Sequence, residues 1–340
     1  MDFSSDTSAP AHPGVIEALG EANCGHAPSY GADELHRRLR IVLAERFETE
    51  DFDFWLTASG TAANALALSV MCAPTGAVLC HHEAHIARDE RGAPEFFTGG
   101  GKLALLSGAG GQIDEIALRE ALAAIDRDFV HETPAETLSL TQLTECGTAY
   151  DRARLAHFAA LAREAGLNVH LDGARLANAL VSQGARPADM SWKSGVDVLT
   201  LGLTKTGAMG CEIILLFGAM RARFAELRAR AKRSGHMPAK MRYLAAQALA
   251  LLADDLWLSL AGQANKAARQ VSNSLCAHPG VELVYPVDGN EVFVRMPGEL
   301  AERLRAAGAR FYPWPGDCHR FVCAWTTGDA EIQALNAALG

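Results

Sequence analysis

"HLDGAR", residues 170–175, closes a short apolar strand pattern that follows the helical stretch "ARLAHFAALAREAGLNV" (153–169). A buried strand that ends in a carboxylate, a glycine, an alanine and an arginine poses a problem. Asp172 and Arg175 are each costly to bury unless a partner neutralises them. The helix-then-strand order gives the setting, because it repeats along the chain. "GADELHRRLRIVLAERFE" (31–48) is amphipathic at helical spacing, and "DFWLTASGTAANALALSVMCA" (53–73) reads as a strand, a Ser-Gly-Thr turn and an apolar helix. "GAVLCHHEAHI" (76–86) is strand-like, then polar; "LREALAAI" (118–125) and 150–166 are helical; "NVHLD", "VDVLTLGL" and "CEIILLFG" are strands. This alternation predicts an α/β domain with a mostly parallel sheet covered on both faces. In such a sheet functional groups gather in the loops beyond the carboxyl ends of the strands, and Asp172 stands at one of them.

The texture changes near residue 240. The spacing predicts one long helix over 241–280, then short strands at "VELVYP", "NEVFVRM", "ARFYP" and "RFVCAW", with helices at 298–308 and 329–339. We read residues 1–245 as the large domain with an N-terminal arm, and 246–340 as a small α+β domain.

Composition narrows the function classes. The 340 residues are 49% apolar and 21% charged, ordinary for a soluble globular protein, and the formal charge of −9 disfavours a nucleic-acid surface. The basic stretch "MRARFAELRARAKR" (220–233) carries its charges at helical spacing, as a solvated helix face does. No run of about 18 uncharged apolar residues predicts a membrane span, and "MDFSSDTSAP" lacks the basic and apolar regions of a secretory signal. The eight cysteines are scattered without a CxxC pair, which reads as reduced thiols of a cytoplasmic protein. "HHEAH" (81–85) has the wrong spacing for the zinc-protease motif, and "GAGG" (108–111) lacks the glycine spacing of a dinucleotide fold, so no metal is expected.

Four segments at strand ends complement one another. "SGT", Ser59 to Thr61, precedes a helix; free N–H groups, a small glycine and two hydroxyls make an anion cradle, although a plain N-cap looks the same. Asp172 is the second. In "LTLGLTKTGAMG" (199–210) Thr204 and Lys205 follow an apolar strand, where a lysine either snorkels to solvent or serves the interior. His85 also lies just past a strand, a place where a structural histidine is common. Taken together they are what pyridoxal 5′-phosphate requires. The cradle holds phosphate, the carboxylate keeps the pyridinium protonated so that the ring is an electron sink, the lysine forms a Schiff base, and the imidazole stacks on the ring.

On these motifs the chain resembles the L-threonine aldolases, specifically the low-specificity or phenylserine-aldolase branch, of the aromatic-amino-acid β-eliminating-lyase group of fold-type I pyridoxal-phosphate enzymes. "SSDT", "APSYGAD", "SGTAAN", "EAH", "HLDGARLANA", "TKTGAMG" and "RFV" stand in that group's order, with Lys205 33 residues after Asp172. The resemblance implies aldol cleavage of L-β-hydroxy-α-amino acids to glycine and an aldehyde. It implies Lys205 as Schiff-base lysine, His85 over the ring, Asp172 on the ring nitrogen, and Ser59, Gly60 and Thr61 on phosphate. Arg175 and Arg320, with Ser5, would bind the substrate carboxylate, so that the substrate is Arg175's partner; a surface salt bridge is the other reading of Arg320. Tyr30 would lie near the site, and Lys240 in "HMPAKMR" would reach phosphate from a neighbouring subunit of a homodimer or homotetramer. The base for the β-hydroxyl stays open among a water held by His85 and Glu90, His85 itself, and Glu145. Three departures bear on this: Ala32 where many relatives have Asp, Glu145 where some have His, and "TKTGAMG" where some have "SKGLG". β-Elimination or racemisation on the same cofactor, and a non-enzymatic binding protein on the same fold, are the rival readings.

Overall fold

The computed structural model describes residues 1–340. Seven strands form the main sheet: β1 (Phe52–Thr57), β2 (Ala77–His81), β3 (Lys102–Leu106), β4 (Ala135–Thr141), β5 (Asn168–Gly173), β6 (Val198–Gly202) and β7 (Glu212–Phe217). Their order in space is β1-β7-β6-β5-β4-β2-β3. Only β7 runs against its neighbours; the others are parallel, as the helix-strand alternation predicts. β6 and β7 are buried along their whole length, which is why they read as unbroken apolar runs.

β3 and β4 are absent from the strands the pattern predicts. Lys102 of the edge strand β3 is exposed, and β4, "AETLSLT", alternates hydroxyls with leucines as a half-exposed strand would. The hydroxyls are instead satisfied inside: Thr137 Oγ1 donates to the Met71 carbonyl at 2.8 Å, and Ser139 Oγ lies 2.9 Å from Nδ1 of buried His170.

The expected single helix over 241–280 is two, Arg242–Leu252 and Leu256–Cys276, bent by 64°. Asp255 at the break has φ 55°, a left-handed conformation that aspartate tolerates better than most residues. No single helix is long and apolar enough to cross a membrane. The expected domain boundary at 245/246 falls inside the first of these helices, whose buried face belongs to the larger of two main cores. The second helix spans both cores: Trp257, Leu260 and Ala261 sit in the larger, Ala267, Val271 and Leu275 in the smaller.

The smaller core backs an antiparallel sheet of order β10-β11-β9-β8, built from β8 (Glu282–Leu283), β9 (Glu291–Arg295), β10 (Tyr312–Trp314) and β11 (Cys318–Val322). Phe3 of the N-terminal arm is buried there against Phe321. The Phe3 N–H donates to the Arg310 carbonyl and the Val322 N–H to the Phe3 carbonyl, both at 2.8 Å. This pins the arm and carries Asp6 to the carboxyl edge of the main sheet.

Candidate active site

The carboxyl ends of β1, β2, β5 and β6 deliver Ser59, His85, Asp172 and Lys205 to one edge, as the parallel order requires. There they line one cavity of about 290 Å³, together with Gly60, Thr61, Thr204 and two residues not singled out from the sequence, Asn64 and Glu212. Two glycines bring the strand ends together. A Cβ on Gly202 would come within 2.5 Å of the Ala174 carbonyl, and one on Gly173 within 2.8 Å of that of Thr200. Any larger residue would push apart the ends that carry Asp172 and Lys205.

Ser59 is an N-cap: its Oγ accepts the Ala62 N–H at 3.2 Å. Cap and cradle are compatible, because the cap uses the Ala62 N–H and leaves those of Gly60 and Thr61, two residues that line the cavity. Thr204 Oγ1 accepts the Cys211 N–H at 3.2 Å, which closes the loop that carries Lys205.

Asp172 has partners within the chain. Its Oδ1 accepts the Ala174 N–H at 3.0 Å and its Oδ2 accepts Asn64 Nδ2 at 2.8 Å. The same amide nitrogen donates to Glu90 Oε1 at 2.9 Å, and that oxygen lies 2.8 Å from His85 Nδ1. An ionised carboxylate only accepts, so His85 carries its hydrogen on Nδ1 and leaves Nε2 as the basic nitrogen. Burial alone would lower the His85 pKa; the Glu90 hydrogen bond and the fields of Glu145, Asp172 and Glu90 raise it. Burial raises that of Glu90, against the His85 and Asn64 hydrogen bonds. Glu90 Oε2 has no partner within the chain.

Arg175 also has partners within the chain. They are protein carboxylates: Nε to Asp6 Oδ2 at 2.7 Å, Nη2 to Asp6 Oδ1 at 3.2 Å, and Nη1 to Glu291 Oε2 at 3.7 Å. Glu291 Oε1 also accepts from Arg320, through Nε at 2.9 Å and Nη2 at 2.5 Å. Arg320 is therefore half-buried against a wholly buried Glu291 carboxylate and is not a surface salt bridge. Burial pushes the Asp6 pKa up, but the Arg175 and Lys205 charges and the Arg175 and Asn290 hydrogen bonds hold it well below the ordinary carboxylate range. Ser5, beside it, caps the Asp6–Ser8 turn through Thr7 N–H at 3.1 Å.

Two more buried carboxyls face this region. Glu145 is raised by burial, against the fields of Arg175, Lys205 and His85. Glu212 opens β7; because that strand runs backwards, its first residue pairs with the last residues of β1 and β6. It accepts the Leu203 N–H at 2.9 Å, and burial raises its pKa to about 7. Tyr30 and Lys240 are exposed and do not line the cavity of their own chain; they neighbour each other, with the Tyr30 N–H donating to the Ala239 carbonyl at 3.0 Å.

The family model for beta-eliminating lyases matches residues 2–298. The chain belongs to that family. It is 39% identical over 336 residues to a low specificity L-threonine aldolase of Pseudomonas aeruginosa, covering 98% of this chain and 96% of that one. A Leishmania major threonine aldolase structure superposes with a TM-score of 0.91 at 26% identity, covering 99% and 98%. A serine palmitoyltransferase of Sphingomonas wittichii, 14% identical, shares the fold at a TM-score of 0.73, over 99% of this chain and 86% of that one. This beta-eliminating lyase family member thus has the fold-type I architecture with an additional small antiparallel sheet. Four of its site residues escape sequence reasoning: Asp6, Asn64, Glu212 and Glu291. Asp6 lies within "SSDT" and Asn64 within "SGTAAN", so their motifs were visible but their chemistry was not. Glu291 and Glu212 each stand at the start of an apolar strand, "EVFV" and "EIILLF", where a carboxylate calls for a partner.

Proposed function

We propose that this chain cleaves L-β-hydroxy-α-amino acids, among them threonine, allo-threonine and phenylserine, to glycine and an aldehyde with pyridoxal 5′-phosphate as cofactor. One observation carries the reading. A lysine, a carboxylate, an imidazole and a helix N-terminus converge on one cavity in a chain similar over its whole length to an L-threonine aldolase. The donor set fits the cofactor: Ser59, Gly60 and Thr61 for its phosphate, Lys205 Nζ for covalent attachment, Asp172 for its ring nitrogen and His85 for its face. When bound, the cofactor supplies an electron sink for the pair released at Cα.

The chain's own groups do the rest. Asp172, fixed by Ala174 N–H and Asn64, keeps a negative charge aimed at the ring nitrogen. Arg175 and Arg320, with Ser5, hold the substrate carboxylate. Asp6 and Glu291 engage only part of each guanidinium, and the free N–H groups remain for an incoming carboxylate. Holding the carboxylate would fix the orientation of the bound amino acid and so select which bond at Cα is broken. A water held by His85 and Glu90 takes the β-hydroxyl proton and passes it to Nε2 of His85, whose ring the Glu90 hydrogen bond holds in place. We further propose a homodimer or homotetramer in which Tyr30 and Lys240 serve a neighbour's site, in keeping with their exposure at a distance from their own. A cytoplasmic location is proposed from the eight unpaired cysteines.

The test is a product assay. Purified protein with added cofactor is incubated with L-threonine, L-allo-threonine and L-phenylserine, and glycine and aldehyde are quantified. Equal yields of both are expected. A keto acid with ammonia, or racemised amino acid, in place of aldehyde would overturn the aldolase reading.

A further inference from the structure

Asn64 occupies the second turn of helix Gly60–Ser69 and is 2% exposed. Its neighbours on that helix, Ala62, Ala63, Ala65 and Leu66, are buried and apolar. A buried amide in such a helix is commonly a satisfied core residue. Here the amide joins two acids from other elements, Glu90, 26 residues away, and Asp172, 108 away. The nitrogen has two hydrogens, and the two bonds use both. Turning the amide over would set Oδ1 against two carboxylates, so this orientation alone joins them with neither protonated.

We propose that Asn64 is a positioning residue that couples the His85–Glu90 pair to Asp172 by letting both carboxylates stay ionised side by side. Without its two hydrogens, burial and the neighbouring Asp172 charge would drive a proton onto Glu90. A proton on Glu90 removes the anion that holds His85 and breaks its link through Asn64 to Asp172. Asn64 thereby links the proton-moving end of the site to its electron-withdrawing end. Its helix also begins at Ser59–Thr61, so one rigid element fixes the phosphate cradle and this link together.

The coupling rests on the roles proposed above for His85 and Asp172, yet it is measured without turnover. His85 faces Glu90 from its own segment, Glu145 from the loop after β4 and Asp172 from β5. The ring is titrated by NMR in full-length protein, loaded with pyridoxal phosphate and again after its removal. Asn64→Ala is expected to lower the His85 midpoint by about one unit, a tenfold change in proton affinity. In a Glu90→Gln background the same substitution is expected to move it no further. An unchanged midpoint in folded Asn64→Ala protein, or the same fall in both backgrounds, overturns the proposal. If Asn64→Ala does not fold, the unsubstituted protein decides: the side-chain amide protons of Asn64 must shift with the same midpoint as the His85 ring, and independent midpoints overturn the link. An absence of aldolase products would leave this titration unaffected, so the two readings fail separately.

Discussion

The site has two charged networks, and they are built on opposite plans. The first, His85–Glu90–Asn64–Asp172, sets two carboxylates on either side of a neutral amide. The second, Asp6–Arg175–Glu291–Arg320, alternates acid and guanidinium, so its charges cancel pair by pair. The first lies on segments that follow strands of one sheet. The second draws on three separate parts of the fold: the N-terminal arm, the loop after β5, and two strands of the small sheet. An amide between acids leaves a group poised to exchange a proton. Alternating full charges leave nothing to titrate and serve to tie elements together and hold an incoming carboxylate. The same residue types thus make a proton device in one place and a clamp in the other.

The charge of Lys205 reaches Asp6 of the second network as well as Glu145 and Glu212, and its removal has the largest expected effect. Lys205→Ala is expected to lose nearly all turnover and the visible absorbance of covalently held cofactor; retained activity would remove the lysine from the scheme. Arg175→Ala leaves buried Asp6 without its cation and Glu291 with Arg320 alone, and the predicted loss is about 3–5 kcal/mol in chemical denaturation. A loss as small as that of a surface pair would mean that the second network is no clamp. Arg320→Ala is expected to act chiefly on binding, raising KM about tenfold or more with a smaller change in kcat, in steady-state kinetics with L-threonine.

The pH profile sharpens the contrast. The His85 pKa is raised, so its ring loses its proton only above the ordinary value of about 6.5. If Nε2 and its water accept the substrate proton, kcat/KM must climb with pH through that raised value. Glu90→Gln removes the charge that raises it, and the limb is expected to move to lower pH by about one unit. An unmoved limb would assign it to another group. The smallest effect is expected at an exposed pair: Arg119→Ala, beside Glu115 on one helix face, should leave the melting temperature within error.

Much of the fold was legible because its signals are local. A parallel sheet buried on both faces writes β5, β6 and β7 as apolar runs, and helices between them carry their own periodicity. β4 was not legible, since Ser139 and Thr137 look solvent-facing until His170 and the Met71 carbonyl are seen to bond them. The helix break at Asp255 was also hidden, because the apolar pattern continues past it.

The sequence by itself determined which chemical groups the strand ends carry: a lysine, an aspartate, an imidazole and a small-residue turn, at spacings that place each just past an apolar run. Tertiary structure alone decided what those groups meet. Asp6 reaches Arg175 across 169 residues, Asn64 reaches Asp172 across 108, and Glu212 reaches the cavity only because β7 runs backwards. Strand order and direction arise from the packing of the whole chain, whereas a strand's residues are set by local burial. The partners of a buried charge therefore belong to the topology and not to the motif that holds it.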